Sequence, residues 1–365
     1  HRNLHSFPTR RSSDLVNSGP ITVLAVDVGG TNTSCAIVSA GGASIEKRFE
    51  RRYATKSEPS LLAPLARFIE EAMAARTPAP QVLCVSGAGP VSGRSITLTN
   101  ASWGIDGAEL ELRFGLPTLV INDFSAIAWG ILLLDRNNPE ELVQLPAPDG
   151  TLAVPSDDGP IVVIGAGTGL GFGYILRDGG VRVYPSEGGH VSLPVFDDES
   201  REFSRWLESR YGFAAGAEAG VSGQGIGHIF MFMAGKDREP TAAVRSILGT
   251  AEHERPAMIA EAAAAGDHLC VRAMRMFVRL YARVASDAAA VFMPTGGIYL
   301  AGGVAAKNLR YFTEASCFME SFGKAYRDHI KAIAARTPVF VVKDYAISIY
   351  GAANAAIHYL GQARP

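Results

Sequence analysis

The apolar positions of this chain fall into short runs that come in pairs. ITVLAVDV (21–28) is followed after a small polar turn by TSCAIV (33–38), and IVVIGA (161–166) by LGFGYIL (170–176). Short runs rich in Val and Ile and bounded by glycine read as strands buried on both faces rather than as helices. Ile21 to Val38 is therefore predicted to be a β-hairpin, with a third strand over Ile45–Ala54. Leu61, Leu62, Leu65, Phe68, Ile69, Ala72 and Met73 recur at helical spacing and predict a helix from about Ser60 to Arg76, with these side chains on its inner face. Strands follow at Gln81–Gly87, Ser95–Thr99 and Leu116–Ile121, the last running into a helix over Phe124–Leu134. The stretch Arg136–Pro160, rich in Pro, Asp, Asn and Gly, reads as a boundary, after which the same plan restarts at Ile161. Ala273, Phe277, Leu280, Val284 and Ala288 mark a long amphipathic helix over about Asp267–Ala290. It delivers the chain to a strand, Ile298–Ala301, and to the turn Gly302-Gly303 before another helix. The alternation of strands and helices, met twice, predicts an α/β protein of two domains.

The two hairpins also match in detail. Laid over one another without a gap, VDVGGTNTSCAIV (26–38) and IGAGTGLGFGYIL (164–176) agree as strand, tight turn, strand, the mark of an internal duplication. Glycine at such turns permits φ > 0 and lets a phosphate approach bare N–H groups, while threonine hydroxyls add donors. Gly29, Gly30, Thr31 and Asn32 in the first copy, and Gly165, Gly167, Thr168 and Gly169 in the second, are the candidates for holding a polyphosphate between two halves. Only the first copy carries an acid, Asp27, where the second has Gly165. A carboxylate beside phosphates suits Mg²⁺, held directly or through water. The chain has no GxxxxGK motif, and GAGTGLG does not satisfy GxGxxG, so P-loop and dinucleotide-binding folds are disfavoured. Gly302-Gly303 is by itself no more than a packing turn. As the third glycine turn in the series it also fits a nucleotide contact at a helix start.

Composition narrows the class without changing this picture. The 365 residues, 47% of them hydrophobic, suffice for two sizeable cores. Lys and Arg total 34 against 36 Asp and Glu, with no long basic block, which argues against a nucleic-acid partner. Cys35, Cys84, Cys270 and Cys317 are scattered, with no CxxC pair, so neither a zinc site nor a disulfide framework is indicated and a reducing, cytoplasmic setting is expected. The longest uncharged stretch, Gly159–Leu176, has glycine at alternate positions from 165 to 173 and would make a poor membrane helix; no membrane association is expected. The first 19 residues, HRNLHSFPTRRSSDLVNSG, are Arg- and Ser-rich, lack an apolar core and do not begin with Met. They read as a non-native or disordered leader outside the fold.

The acceptor side of the chemistry rests on short polar segments. Leu119–Phe124 (LVINDF) puts Asn122 and Asp123 at the C-terminal end of a strand, the edge where α/β sheets bind ligands. Asn and Asp are equally at home there as caps of the following helix. LVINDF resembles the catalytic strand of the bacterial-type glucokinases, members of the superfamily of sugar kinases, heat-shock ATPases and actin. The likeness extends to LTNASW (98–103), SEGGHV (186–191) and AEAGVSG (217–223), in the family's order, and covers nearly all of the chain from 21 to about 360.

The resemblance implies two actin-like, ribonuclease H-like domains with a cleft between them: 21–134 completed by a C-terminal helix over about 348–360, and 135–347. It implies transfer of the γ-phosphoryl group of ATP, with Mg²⁺, to the 6-hydroxyl of D-glucose. Asp123 would be the general base; Asn100, Asn122, Glu187, His190 and Glu218 would bind the sugar along with Asp123. Asp27, Gly29, Gly30, Thr31, Asn32, Gly165, Gly167, Thr168, Gly169, Gly302 and Gly303 would hold the nucleotide, Asp27 also serving the metal. Carboxylates, amides and an imidazole are what a ring of hydroxyls requires, because each hydroxyl both donates and accepts. Taken alone, Glu187 and His190 form a surface pair, Glu218 is a solvated residue and Trp103 a core one. AISIYGAA (346–353) is a loose version of the family's terminal glycine segment. Two other readings share the glycine turns: a sugar-responsive regulator or hexose kinase of the related repressor family, and an actin-like ATPase. Against the first, the chain has no cysteine-rich loop and its leader is too short for a DNA-binding domain. The oligomeric state is open, a homodimer included.

Overall fold

The computed structural model describes residues 20–41, 44–98, 101–314, 317–325, 327–344 and 347–363. The leader 1–19 and Asn100 lie outside them. Contacts divide the described chain into two compact units, 20–134 with 178–185 and 347–363, and 135–177 with 186–344.

In the first unit five strands lie in the order Ser44–Ala54, Asn32–Gly41, Ile21–Val28, Val82–Gly87, Thr118–Asn122. Ile21–Val28 pairs antiparallel with Asn32–Gly41 and parallel with Val82–Gly87, which is parallel to Thr118–Asn122. The run 21–28 is apolar but for Thr22 and Asp27 because both of its faces are covered. Leu24, Val26 and Val28 pack with Leu65, Phe68 and Ala72 of the helix Leu62–Ala74; Val23 and Ala25 pack with Ala352, Ala353 and Ala356 of the C-terminal helix Ile347–Ala363. Met73 departs from the expected inner face and is 72% exposed.

Gly351 of the C-terminal helix allows a very close helix crossing. A Cβ there would stand 1.8 Å from the Ala126 carbonyl oxygen, and one at Gly130 would stand 2.5 Å from Ile347. The glycine in AISIYGAA therefore seats this helix on the helix Asp123–Ile131.

The second unit starts on the same plan. Ile161–Ala166 pairs antiparallel with Leu170–Leu176 and parallel with Gly297–Ala301, beyond which lie Val339–Val342 and Leu142–Gln144. The segment read as a bare boundary thus contributes an edge strand. The helix His268–Phe292 is capped by Asp267, whose carboxylate accepts from the Cys270 N–H, and buries Ala273, Phe277, Leu280, Val284 and Ala288 as the spacing requires. Helices over Asp198–Tyr211, Gly223–Ala234, Ala242–Leu248 and Arg255–Ala264 were not visible in the periodicity. Among the described residues no helix is long and apolar enough to cross a membrane.

Candidate active site

The first glycine turn joins Val28 to Asn32 and closes on itself through the Gly29 N–H to the Asn32 carbonyl, 3.0 Å. Thr55 braces it: its N–H reaches the Thr31 carbonyl at 2.9 Å and its hydroxyl the Gly29 carbonyl at 2.8 Å. In the second turn the Gly167 N–H bonds the Gly169 carbonyl at 2.9 Å, and the Gly223 N–H bonds the Gly167 carbonyl at 2.8 Å. Positive φ, expected at both turns, occurs at neither; among the three predicted glycine turns only Gly302 shows it, at +90°. The first two turns use glycine for close approach. A Cβ on Gly169 would meet the Glu218 carboxylate at 2.5 Å, whereas one on Gly167 would meet nothing within 4 Å.

Gly302 sits beside the second turn, since Gly165 and Ala301 are register partners and a Cβ on Gly302 would stand 2.6 Å from the Ala166 carbonyl oxygen. Its φ of 90° and ψ of 158° lie in a region that essentially only glycine adopts. Gly302→Ala is therefore expected to lose roughly 1–3 kcal/mol of unfolding free energy, read by urea denaturation. The helix after it, Gly303–Lys307, is a single turn. Nucleotide contact there would depend on backbone N–H groups rather than on a developed helix dipole.

Asp27 is part-buried on the strand Ile21–Val28, level with Ser34 and Ser86 on the two neighbouring strands. Its Oδ1 accepts the Ser86 hydroxyl at 2.8 Å and its Oδ2 the Ser348 hydroxyl at 2.7 Å. Burial pushes its carboxyl above the ordinary value, and the two hydroxyls oppose that rise. Each oxygen keeps a lone pair after these bonds. Among the described residues no group of three His, Cys, Asp or Glu forms a ready-made metal cage. A lone carboxylate completed by substrate phosphates is the arrangement Mg²⁺ favours, so the residues present fit the ion in that form only.

Asn122, not Asp123, caps the helix that follows the strand Thr118–Asn122. Its side-chain oxygen accepts the N–H groups of Phe124 and Ser125 at 2.9 and 3.3 Å, and its amide donates to the Gly89 carbonyl at 3.1 Å. Asp123 is the first helical residue, so the helix begins one residue earlier than expected and ends at Ile131 rather than Leu134. Its carboxyl is pushed up to about 6, chiefly by burial, with the charge of Asp27 adding to the rise and the Phe124 N–H opposing it.

In the second unit the remaining polar candidates gather on the strand that leaves the second turn. Gly188–His190 form a single 3-10 turn. Cβ atoms on Gly188 and Gly189 would overlap the Phe172 ring and the Leu170 carbonyl oxygen, at 2.7 and 1.9 Å, so only glycine lets this loop lie so flat. Glu187 and His190 are 83% and 62% exposed, with Oε2 and Nε2 3.7 Å apart. The loop is tied to the next segment by the Ala217 N–H to the Val191 carbonyl at 2.6 Å. Glu218 is not a merely solvated residue: its carboxylate accepts the Leu170 N–H at 2.9 Å. Thr55, Ser86 and Ser348 escaped sequence reasoning. Ser86 alone left a signal, as a polar residue in an otherwise apolar strand.

Comparison with known proteins gives the family. The glucokinase family model matches residues 24–359. A glucokinase of Nostoc sp. is 32% identical over 352 residues, covering 92% of this chain and 98% of the relative. A glucokinase structure from an Antarctic psychrotroph superposes with TM-score 0.76 at 25% identity, covering 94% of this chain and all of that one. A repressor-family (ROK) glucokinase from Streptomyces griseus, solved with glucose and AMPPNP, shares the fold with TM-score 0.62 at 20% identity, over 92% of this chain and 99% of that one. With the family model matched over nearly its whole length and a curated relative 32% identical across 92% of it, this chain belongs to the glucokinase family.

Proposed function

We propose that this protein transfers the γ-phosphoryl group of ATP to the 6-hydroxyl of D-glucose, giving glucose 6-phosphate and ADP, as a cytoplasmic entry step to glycolysis. The observation that carries the chemistry is the Asp123 carboxyl, part-buried, raised to about 6 and placed just past the C-terminal end of the strand Thr118–Asn122. A base poised there is ionised at neutral pH yet retains proton affinity, which suits general base catalysis. As the 6-oxygen forms its bond to the γ-phosphorus and the bond to the ADP oxygen breaks, Asp123 accepts the hydroxyl proton. Asp27 would hold Mg²⁺ through a free lone pair or a water, and the ion would neutralise charge on the phosphates. Gly29, Gly30, Thr31, Asn32, Gly165, Gly167, Thr168, Gly169, Gly302 and Gly303 are assigned to the nucleotide. Glu187, His190 and Glu218 are assigned to sugar hydroxyls together with Asn122 and Asn100. We assign the protein no nucleic-acid or membrane partner, and leave a homodimer open.

A coupled assay of ADP release over a panel of hexoses, with and without Mg²⁺, tests this reading. Polar groups matched to ring hydroxyls discriminate because a mismatched sugar leaves them unpaired, at about 1–3 kcal/mol per group. Glucose should exceed galactose and fructose by at least about tenfold in kcat/KM, and turnover should require Mg²⁺. Equal rates on all three sugars would remove the glucose assignment.

A further inference from the structure

The short turn that carries Glu218 is clamped from one side by the helix Gly223–Ala234. Ser222, its N-cap, donates its hydroxyl to the Glu218 carbonyl at 2.8 Å and accepts the Gly225 N–H at 2.9 Å. Six residues further along, His228 is 6% exposed and makes two contacts of 2.8 Å: Nδ1 with the Ala219 carbonyl oxygen and Nε2 with the Tyr211 hydroxyl. A carbonyl can only accept, so Nδ1 carries the proton. In the neutral ring Nε2 is then an acceptor, and the Tyr211 hydroxyl donates to it. The tautomer is set by these two partners. The other neutral tautomer would place a bare nitrogen against the Ala219 carbonyl, and turning the ring over would replace both nitrogens by carbons and lose both contacts.

We infer that His228, oriented by Tyr211, is a positioning residue for sugar binding: it holds the Ala219 peptide so that the adjoining Glu218 carboxylate stays on the second glycine turn, bonded to Leu170. The inference rests on the assignment of Glu218 to the sugar. Ser222 fixes the peptide carbonyl of Glu218 and His228 that of Ala219, so two successive peptides are anchored on the same helix. The turn Ala217–Ala219 is also held at Ala217, whose N–H bonds the Val191 carbonyl and whose carbonyl accepts the Gly220 and Val221 N–H groups, so Ser222 and His228 hold the two carbonyls that follow. A merely structural histidine would act on stability, not on sugar affinity in particular.

The test is a set of single and double variants with KM for glucose, KM for ATP, kcat and melting temperature measured on each. His228→Leu should raise the glucose KM about tenfold, with kcat and the ATP KM changed less than threefold. His228→Asn, whose amide can still donate to the Ala219 carbonyl, should restore most of the loss. Tyr211→Phe should fall between wild type and His228→Leu. Glu218→Gln should raise the glucose KM by itself, and adding His228→Leu to it should raise that KM no further, because both changes act through one carboxylate. Multiplying effects in the double variant, or an unchanged glucose KM in folded His228→Leu, would overturn the positioning role while leaving Glu218 a sugar ligand. An unchanged glucose KM in Glu218→Gln would overturn both. If His228→Leu does not fold, His228→Asn and Tyr211→Phe decide by the same criterion: the role fails if Tyr211→Phe leaves the glucose KM at the wild-type value.

Discussion

Asp123→Asn is expected to lower kcat by about 10²–10⁴-fold, the usual worth of general base catalysis, with glucose affinity changed far less. The amide keeps the side chain's shape and one acceptor for the Phe124 N–H, and removes only the basic site. Capping offers no escape from this expectation, because Asn122 is the cap and remains in place. Near-normal kcat in folded Asp123→Asn protein would overturn the mechanism. The acidic limb of kcat/KM in the wild type should fall near pH 6, where the free enzyme's carboxyl takes up its proton.

The same substitution has an opposite effect on stability. The carboxyl titrates near its ordinary 3.8 when unfolded and near 6 when folded, so the folded state binds the proton more tightly. Native stability therefore falls as pH rises between these values, and the full cost of burying the charge is present above about pH 6. Asparagine removes that cost, which for a rise from 3.8 to about 6 is at most about 3 kcal/mol. Asp123→Asn should melt higher than wild type at pH 8 and show no such gain near pH 4.

Asp27→Ala is expected to lose turnover by about 10²-fold or more, in keeping with the several kcal/mol of charge stabilisation a bound cation supplies to phosphoryl transfer. Calorimetry with glucose alone should give an affinity within about twofold of wild type, since no sugar contact is assigned to Asp27. Excess Mg²⁺ should not rescue the variant. Asp27→Asn is the control for packing: an amide can keep hydrogen bonds to Ser86 and Ser348, so its loss of turnover reports the missing charge. If glucose affinity falls in both variants, Asp27 shapes the unit rather than serving the nucleotide.

Fold class and much of the candidate site were legible because they are written in short windows. A strand buried on both faces needs a mainly apolar run wherever it lies, so Ile21–Val28 and Ile161–Ala166 announced themselves. The turn between paired strands needs small residues, so the duplication showed as glycine against glycine. The amphipathic helix read over about Asp267–Ala290 and found over 268–292 was equally local. These features depend on neighbours within a few positions, and sequence spacing reports them directly.

What a residue faces across the fold is decided elsewhere in the chain. Asn122 and Asp123 are adjacent and chemically alike, yet one becomes the cap and the other a desolvated carboxyl beside Asp27, because a strand 90 residues upstream lies in the same sheet. Glu218 reads as a solvated acid until Leu170, 48 residues before it, supplies the N–H that holds it. The glycine at 351 reads only as part of the family's terminal glycine segment until the Ala126 carbonyl oxygen leaves no room for a side chain. Met73 continues a helical stripe that the core simply does not reach. Periodicity determined which elements form and which turns need glycine; burial, desolvation and hydrogen-bond partnership were decided only by tertiary packing, since each depends on the distance to groups that the local sequence does not contain.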